Sequence, residues 1–205
     1  MVTGNTILHM IVKTGKYLLA FLMVFAITSC EEDNPFDLPS DRLDYGTYRG
    51  ELKGDLEADL FGAAYFSRFA DDLENPQKFA YGIYLMSGVQ GNSVEVWFAR
   101  GGDVPEEIIY SIEELREEEM KDLSDWIYEI ENFRAWIIVN FDEKEELYFS
   151  DNGSITIEAT SDVHSEGSFE FTATGYVDND ENGEPEEKVI EISGEFLARQ
   201  GEFSF

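Results

Sequence analysis

Cysteine is almost missing from this 205-residue chain: the one thiol is Cys30, so no disulfide framework and no cysteine-based zinc site can be built. Histidine is nearly as scarce, with His9 and His164 alone. Positive charge is short as well: 14 Lys and Arg against 44 Asp and Glu give a net charge of −30, which repels phosphate backbones and excludes nucleic acid as a partner. Long apolar runs are absent too. The longest, Tyr17–Ile27 (YLLAFLMVFAI), is too short for a bilayer-spanning helix, which needs about 20 residues. Neither a Walker-type loop nor a dinucleotide-type glycine loop occurs.

What is present begins with a leader. Lys13 and Lys16 precede the apolar run, and small residues follow it, which is the layout of a secretory signal peptide. Initiation at Met10 rather than Met1 gives that leader ordinary proportions. The four residues Ile27-Thr28-Ser29-Cys30 resemble a bacterial lipobox, which implies cleavage before Cys30, a diacylglyceryl thioether on its sulfur and acylation of the new amino terminus. Two or three acyl chains hold a protein stably on a membrane, where one is marginal. The plainer alternative is a signal peptide that happens to end near a cysteine.

Residues 31–44 (EEDNPFDLPSDRLD) are acidic, contain Pro35 and Pro39, and have too little apolar content to form a core, so they read as a flexible tether. The acidic cluster directly after Cys30 is similar to the surface-export signal of lipoproteins in Bacteroidota. That likeness implies an outer-membrane, lipid-anchored protein displayed on the cell surface, the alternative being a solvated linker on the periplasmic side. All 44 acids lie beyond Cys30, whereas Lys13 and Lys16 precede it, so loss of the leader deepens the net charge by two units. The expected organisation is therefore a signal peptide over 1–29, a tether over 30–44 and one domain over 45–205.

That domain reads as mainly β. Apolar and polar residues alternate in Ser154–Ala159, Ser168–Ala173 and Val189–Ala198, placing Ile155, Ile157, Phe169, Phe171, Ile190, Ile192 and Phe196 on one side. Lys78–Met86, Ser93–Ala99 and Phe133–Phe141 are more continuously apolar, the pattern of strands covered on both faces. Gly46–Phe69 is punctuated by glycine and suits two strands joined near Gly54 to Glu57. About eight strands result, in a single antiparallel β-sandwich or barrel. One helix is expected near 111–123, because Ser111 and Glu114 have the spacing of a capping box and Ile112, Leu115, Met120 and Leu123 form a partial helical stripe.

With these elements placed, a resemblance emerges. Gly153–Ile157, Gly167–Ala173 and Val189–Ala198 resemble the "sGtvtI", "GtFsFtA" and "vtvtnGsFna" strands in the C-terminal half of uncharacterised β-rich lipoproteins of Bacteroidota. The match covers about a third of the chain. It implies a β-rich fold and a membrane address, and no catalytic residue.

Candidate chemistry is thin. His164 lies in SDVHSEG, a turn without a nucleophile-elbow pattern, and reads as an exposed turn residue rather than part of a triad. Paired carboxylates remain as a glycosidase-type option, although none of the 44 acids sits in a recognisable context. The sharpest local pattern is DNDENGEPEE at 178–187. Asp178, Asp180, Asn182 and Gly183 match positions 1, 3, 5 and 6 of a calcium loop and Glu186 position 9, while Val189 occupies the position that should carry the bidentate glutamate. An acidic hairpin tip is the alternative, and no other cofactor is indicated.

Three functions follow: a surface binding or accessory module for a glycan, peptide or envelope protein; an envelope-structural or assembly lipoprotein without a small ligand; and a carboxylate hydrolase. The expectation is the first, and not an enzyme. A row of aromatic residues on one open face, drawn from Tyr81, Tyr84, Trp97, Trp126 and Trp136, points to sugar binding, whereas burial of those rings points to core packing.

Overall fold

A computed structural model describes residues 46–71, 76–89, 92–121, 123, 127–141, 144–178 and 185–201. Among these run nine strands: β1 (Gly46–Gly54), β2 (Ala58–Ala70), β3 (Phe79–Val89), β4 (Asn92–Gly101), β5 (Ile109–Glu113), β6 (Phe133–Phe141), β7 (Lys144–Thr160), β8 (His164–Asp178) and β9 (Pro185–Gln200). They form one sheet in the order β1-β2-β3-β4-β6-β5-β7-β8-β9, and β9 pairs back onto β1 from Thr47↔Leu197 to Gly54↔Ile190, so the sheet closes on itself. Nearly every pairing is antiparallel. The exceptions are two short parallel contacts, β5 with β6 and β2 with β9.

Alternation decides which side chains enter the ring. Tyr48 and Leu52 of β1, Ile83 and Leu85 of β3, Val96 and Phe98 of β4, Ile137 of β6, Ile155 and Ile157 of β7, Phe169 and Phe171 of β8 and Ile190 and Phe196 of β9 are all buried in one cluster. The ring is packed through its middle: Phe98 of β4 meets Phe169 and Phe171 of β8 edge-on at centroid distances of 5.1 and 5.6 Å. Each such ring removed from water contributes about 1.5–3 kcal/mol. Room for the phenyl groups comes from Gly194 on the inward face, where a Cβ would lie 3.0 Å from Phe169 Cζ and 2.5 Å from the Arg49 carbonyl oxygen. Among the described residues the interior of the ring is filled by side chains.

The long helix expected over 111–123 does not form. Ser111 and Ile112 belong to β5, whose Tyr110 and Ile112 point inward with period two, and β5 finds a partner on each side, β7 antiparallel and β6 parallel. Tertiary pairing outweighs the capping-box signal there, as it does whenever a short amphipathic segment can complete a sheet. The same substitution explains why the strands number nine rather than about eight. One helical turn survives, α1 (Glu117–Met120), with the Glu119 carboxylate accepting the Arg116 N–H at 2.9 Å and glutamates at all three first-turn positions, where the helix dipole favours them. A 3-10 turn follows at Ile127–Glu129.

Ser150 marks where β5 is inserted. Between Phe141 and Trp136 the strand β6 pairs directly with β7, but beyond that point β5 lies between them. The buried Ser150 hydroxyl donates to the Glu113 carbonyl at 2.7 Å and accepts the Ala135 N–H at 3.2 Å, and its own carbonyl accepts the Leu115 N–H at 2.8 Å. A register shift follows between Ser150 and Asn152.

Candidate functional site

The outward positions of β2, β3, β4, β6 and β7 hold an aromatic row. Strand register sets Tyr65 opposite Tyr84, Tyr84 opposite Trp97, Trp97 opposite Trp136 and Trp136 opposite Phe149. Neighbouring rings touch: Tyr65–Tyr84 at 6.3 Å and 21°, Tyr84–Trp97 at 4.1 Å and 31°, Trp97–Trp136 at 5.8 Å and 3°. A parallel row, one step along the strands, reads Ala63–Met86–Glu95–Ile138–Leu147. Outward faces of a solvated sheet are normally polar, so two adjacent rows with a single charged member are an exception that requires a cover or a ligand.

A cover exists for part of it. The connection from β5 to β6 lays Leu115, Leu123 and Ile127, with Met120 and Tyr128 at its margin, over Ala80, Ala99, Trp136 and Phe149, forming a second apolar cluster outside the ring. Tyr81, on the inward face, is fully buried and Trp136 is 5% exposed, so both are packing residues. Tyr65, Tyr84 and Trp97 are only half-buried, and Met86 beside them is 41% exposed. Trp126 lies outside the described residues. The least covered part of the row is thus Tyr65–Tyr84–Trp97, flanked by Met86 and Glu95, with Trp97 leaning against the second cluster and Gly201 against the Tyr65 ring.

One polar pair sits in this apolar setting. Glu95 lies diagonally across from Tyr84 on the adjacent strand; burial, then the Glu95 charge, push the phenol pKa well above its ordinary value. Neither row contains Lys, Arg or His. Arg199 of β9 lies next to Tyr65, and Arg134 of β6 lies one row beyond Trp136, ion-paired to Glu113.

The residues singled out from sequence fare differently. Cys30 lies outside the described residues, as do Asp180 and Asn182. Asp178 closes β8 opposite Pro185, and Glu186 is an exposed residue on β9 opposite Val177, so the two flank the hairpin connection from opposite strands. Among the described residues no three acidic or histidine side chains converge as a metal ion requires. His164 opens β8, and its Nδ1 is 2.7 Å from Ser161 Oγ. That oxygen also accepts the backbone N–H groups of Val163 and His164 at 3.3 and 3.2 Å, the pattern of a hydroxyl closing a turn rather than a nucleophile awaiting a substrate. The acids do meet in one shallow groove of about 300 Å³ on the opposite side of the ring, lined by Glu51, Lys53, Glu170, Thr172, Glu191 and Ser193. Lys53 is ion-paired to Glu51 there at 2.6 Å.

No protein-family model, curated protein or solved structure matches this chain. Its own geometry therefore carries the reading. Of the open row, sequence reasoning named Tyr84 and Trp97 but not Tyr65, Met86 or Glu95. The available signal was the doubly apolar pattern of β3, β4 and β6, taken to mean full cover on both faces; the structure covers their outer faces only at the end beneath the β5–β6 connection.

Proposed function

We propose that this chain is a lipid-anchored, surface-displayed binding module that engages its ligand with the outward aromatic face of β2, β3 and β4. The observation that supports it is the half-covered row Tyr65–Tyr84–Trp97 with exposed Met86, held in register on three adjacent strands. Large aromatic and methionine side chains left open beside a polar surface are the usual composition of a recognition site. The packed interior leaves the outside of the ring as the place for recognition. The leader and lipobox-like Ile27–Cys30 supply the anchor, and the acidic surface keeps the domain off anionic headgroups.

The anchor is tested by labelling cells with a palmitate analogue: the full chain is marked, the Cys30→Ala variant is not, and protease added to intact cells removes the domain. Equal labelling of both forms rejects the anchor. For the face, a benzophenone side chain at position 86 of the displayed full chain forms light-dependent adducts on intact cells, whereas one at position 170, on the opposite side, does not. Absence of adducts from position 86, or equal yields from both, rejects the face and favours an envelope-structural role.

A further inference from the structure

Resting on that reading, we infer that the ligand of the aromatic face is an uncharged polysaccharide, read by Glu95 and Tyr84 between flanking rings. Three observations distinguish this class from others. First, Glu95 occupies the middle of the second row, with Met86 on one side and Ile138 on the other. A protein partner closing dry contacts over Met86, Tyr84 and Trp97 would strand that carboxylate in an apolar interface, where glutamate is depleted because its desolvation is not repaid. A sugar instead brings hydroxyl donors to the carboxylate, and apolar C–H groups to Met86 and to the outer edges of rings whose faces are stacked on one another.

Second, the sign of charge is wrong for an anionic ligand. The rows carry one carboxylate and no cation, Arg199 stands only at the margin, and the chain bears −30 overall, so uronic-acid polymers, phosphates and nucleic acids are repelled. Third, the open row runs across the strands. Three strands at about 4.8 Å spacing set Tyr65, Tyr84 and Trp97 along about 10 Å, the length of two sugar units in an extended chain. A polymer therefore crosses β2, β3 and β4 nearly at right angles, with the β5–β6 connection bounding it at the Trp136 end. A small number of placed polar groups within an aromatic surface is how such sites combine orientation with affinity.

The test uses the purified full chain in detergent, run through native gels cast with neutral polysaccharides (dextran, hydroxyethyl cellulose, laminarin, galactomannan) or with polygalacturonate. Expected is retardation by at least one neutral polymer and none by polygalacturonate. Trp97→Ala and Met86→Glu weaken binding by about tenfold or more, the second without disturbing a packed side chain. Glu95→Ala weakens it about tenfold, and Glu95→Gln, which keeps an acceptor for sugar hydroxyls, stays within about threefold of wild type. Silence across the neutral panel, retardation by polygalacturonate, or an unchanged affinity in Glu95→Ala overturns the inference. If position 86 still forms adducts on cells while the neutral panel is silent, the face stands and the ligand class falls. If adducts are lost as well, both fall.

Discussion

Two sides of one closed sheet share the same inward code and differ outside. On β1, β9 and β8 the outward rows read Glu51–Ser193–Glu170 and Lys53–Glu191–Thr172, continued by Ser154 and Asn152 of β7. On β2, β3, β4 and β6 the outward positions are Tyr65, Tyr84, Trp97 and Trp136. Strand β7 belongs to both: its first half presents Leu147 and Phe149 toward the aromatic side, and its second half presents Ser154 and Thr156 toward the polar one. Ser150 stands at the change. The inward half of each strand builds the main core, and the outward half of the aromatic side adds a second cluster beneath the β5–β6 connection. The outward half is where the two sides differ, one polar and the other aromatic and partly covered.

The contrast can be broken hardest at Trp136. Trp136→Ala removes a ring packed between Trp97 and the β5–β6 connection, and about 3–5 kcal/mol of stability is lost in chemical denaturation. Next comes the boundary itself. Ser150→Ala deletes the acceptor of the Ala135 N–H and the donor to the Glu113 carbonyl, both in a fully buried place, and lowers stability by about 1–3 kcal/mol, with amide exchange rising first in β5. An equal rise on both sides of the ring would show that Ser150 is not the joint.

A smaller effect depends on pH. Glu146 is held by Lys188 at 2.8 Å and by the Tyr148 hydroxyl at 2.5 Å. Burial acts to raise its pKa, but the Lys188 and Tyr148 donors together prevail and set it below the ordinary value of 4.5. A lowered carboxylate pKa stabilises the fold above the unfolded value, and the contribution disappears as pH falls through the folded one. Lys188→Met therefore destabilises the protein by about 1 kcal/mol at neutral pH, and the gap from wild type narrows below pH 4.5; a gap independent of pH would mean that the pair acts by packing alone. Smallest is the polar side, where Glu170→Gln shifts the unfolding midpoint by less than the equivalent of about 0.5 kcal/mol, as expected of an exposed position.

Much of this architecture was legible in the residues. Alternation placed Ile155, Phe169, Phe171, Ile190 and Phe196 inward, and the glycine-rich start resolved into β1 and β2. What escaped was long-range. IYSIE at 109–113 carries too few residues for its period to outweigh a capping-box spacing, and only the gap between β6 and β7 makes it a strand. The aromatic row escaped for the same reason: each ring lies on a different strand, and lateral alignment depends on pairings between residues separated by two hairpins and a long connection. Sequence shows that β3, β4 and β6 are apolar on both sides; how far the cover reaches depends on where 114–130 comes to rest.

The phenyl-filled interior has a consequence for how such a protein can change. A container must alter its walls to admit a new guest, and each alteration puts its own integrity at risk. Here the interior formed by the described residues is filled with side chains, and the outward rows stand apart from it. Tyr65, Tyr84, Met86 and Glu95 can be exchanged with little disturbance beneath them, so under the binding role proposed above new specificities lie within reach of a few substitutions on an unchanged scaffold.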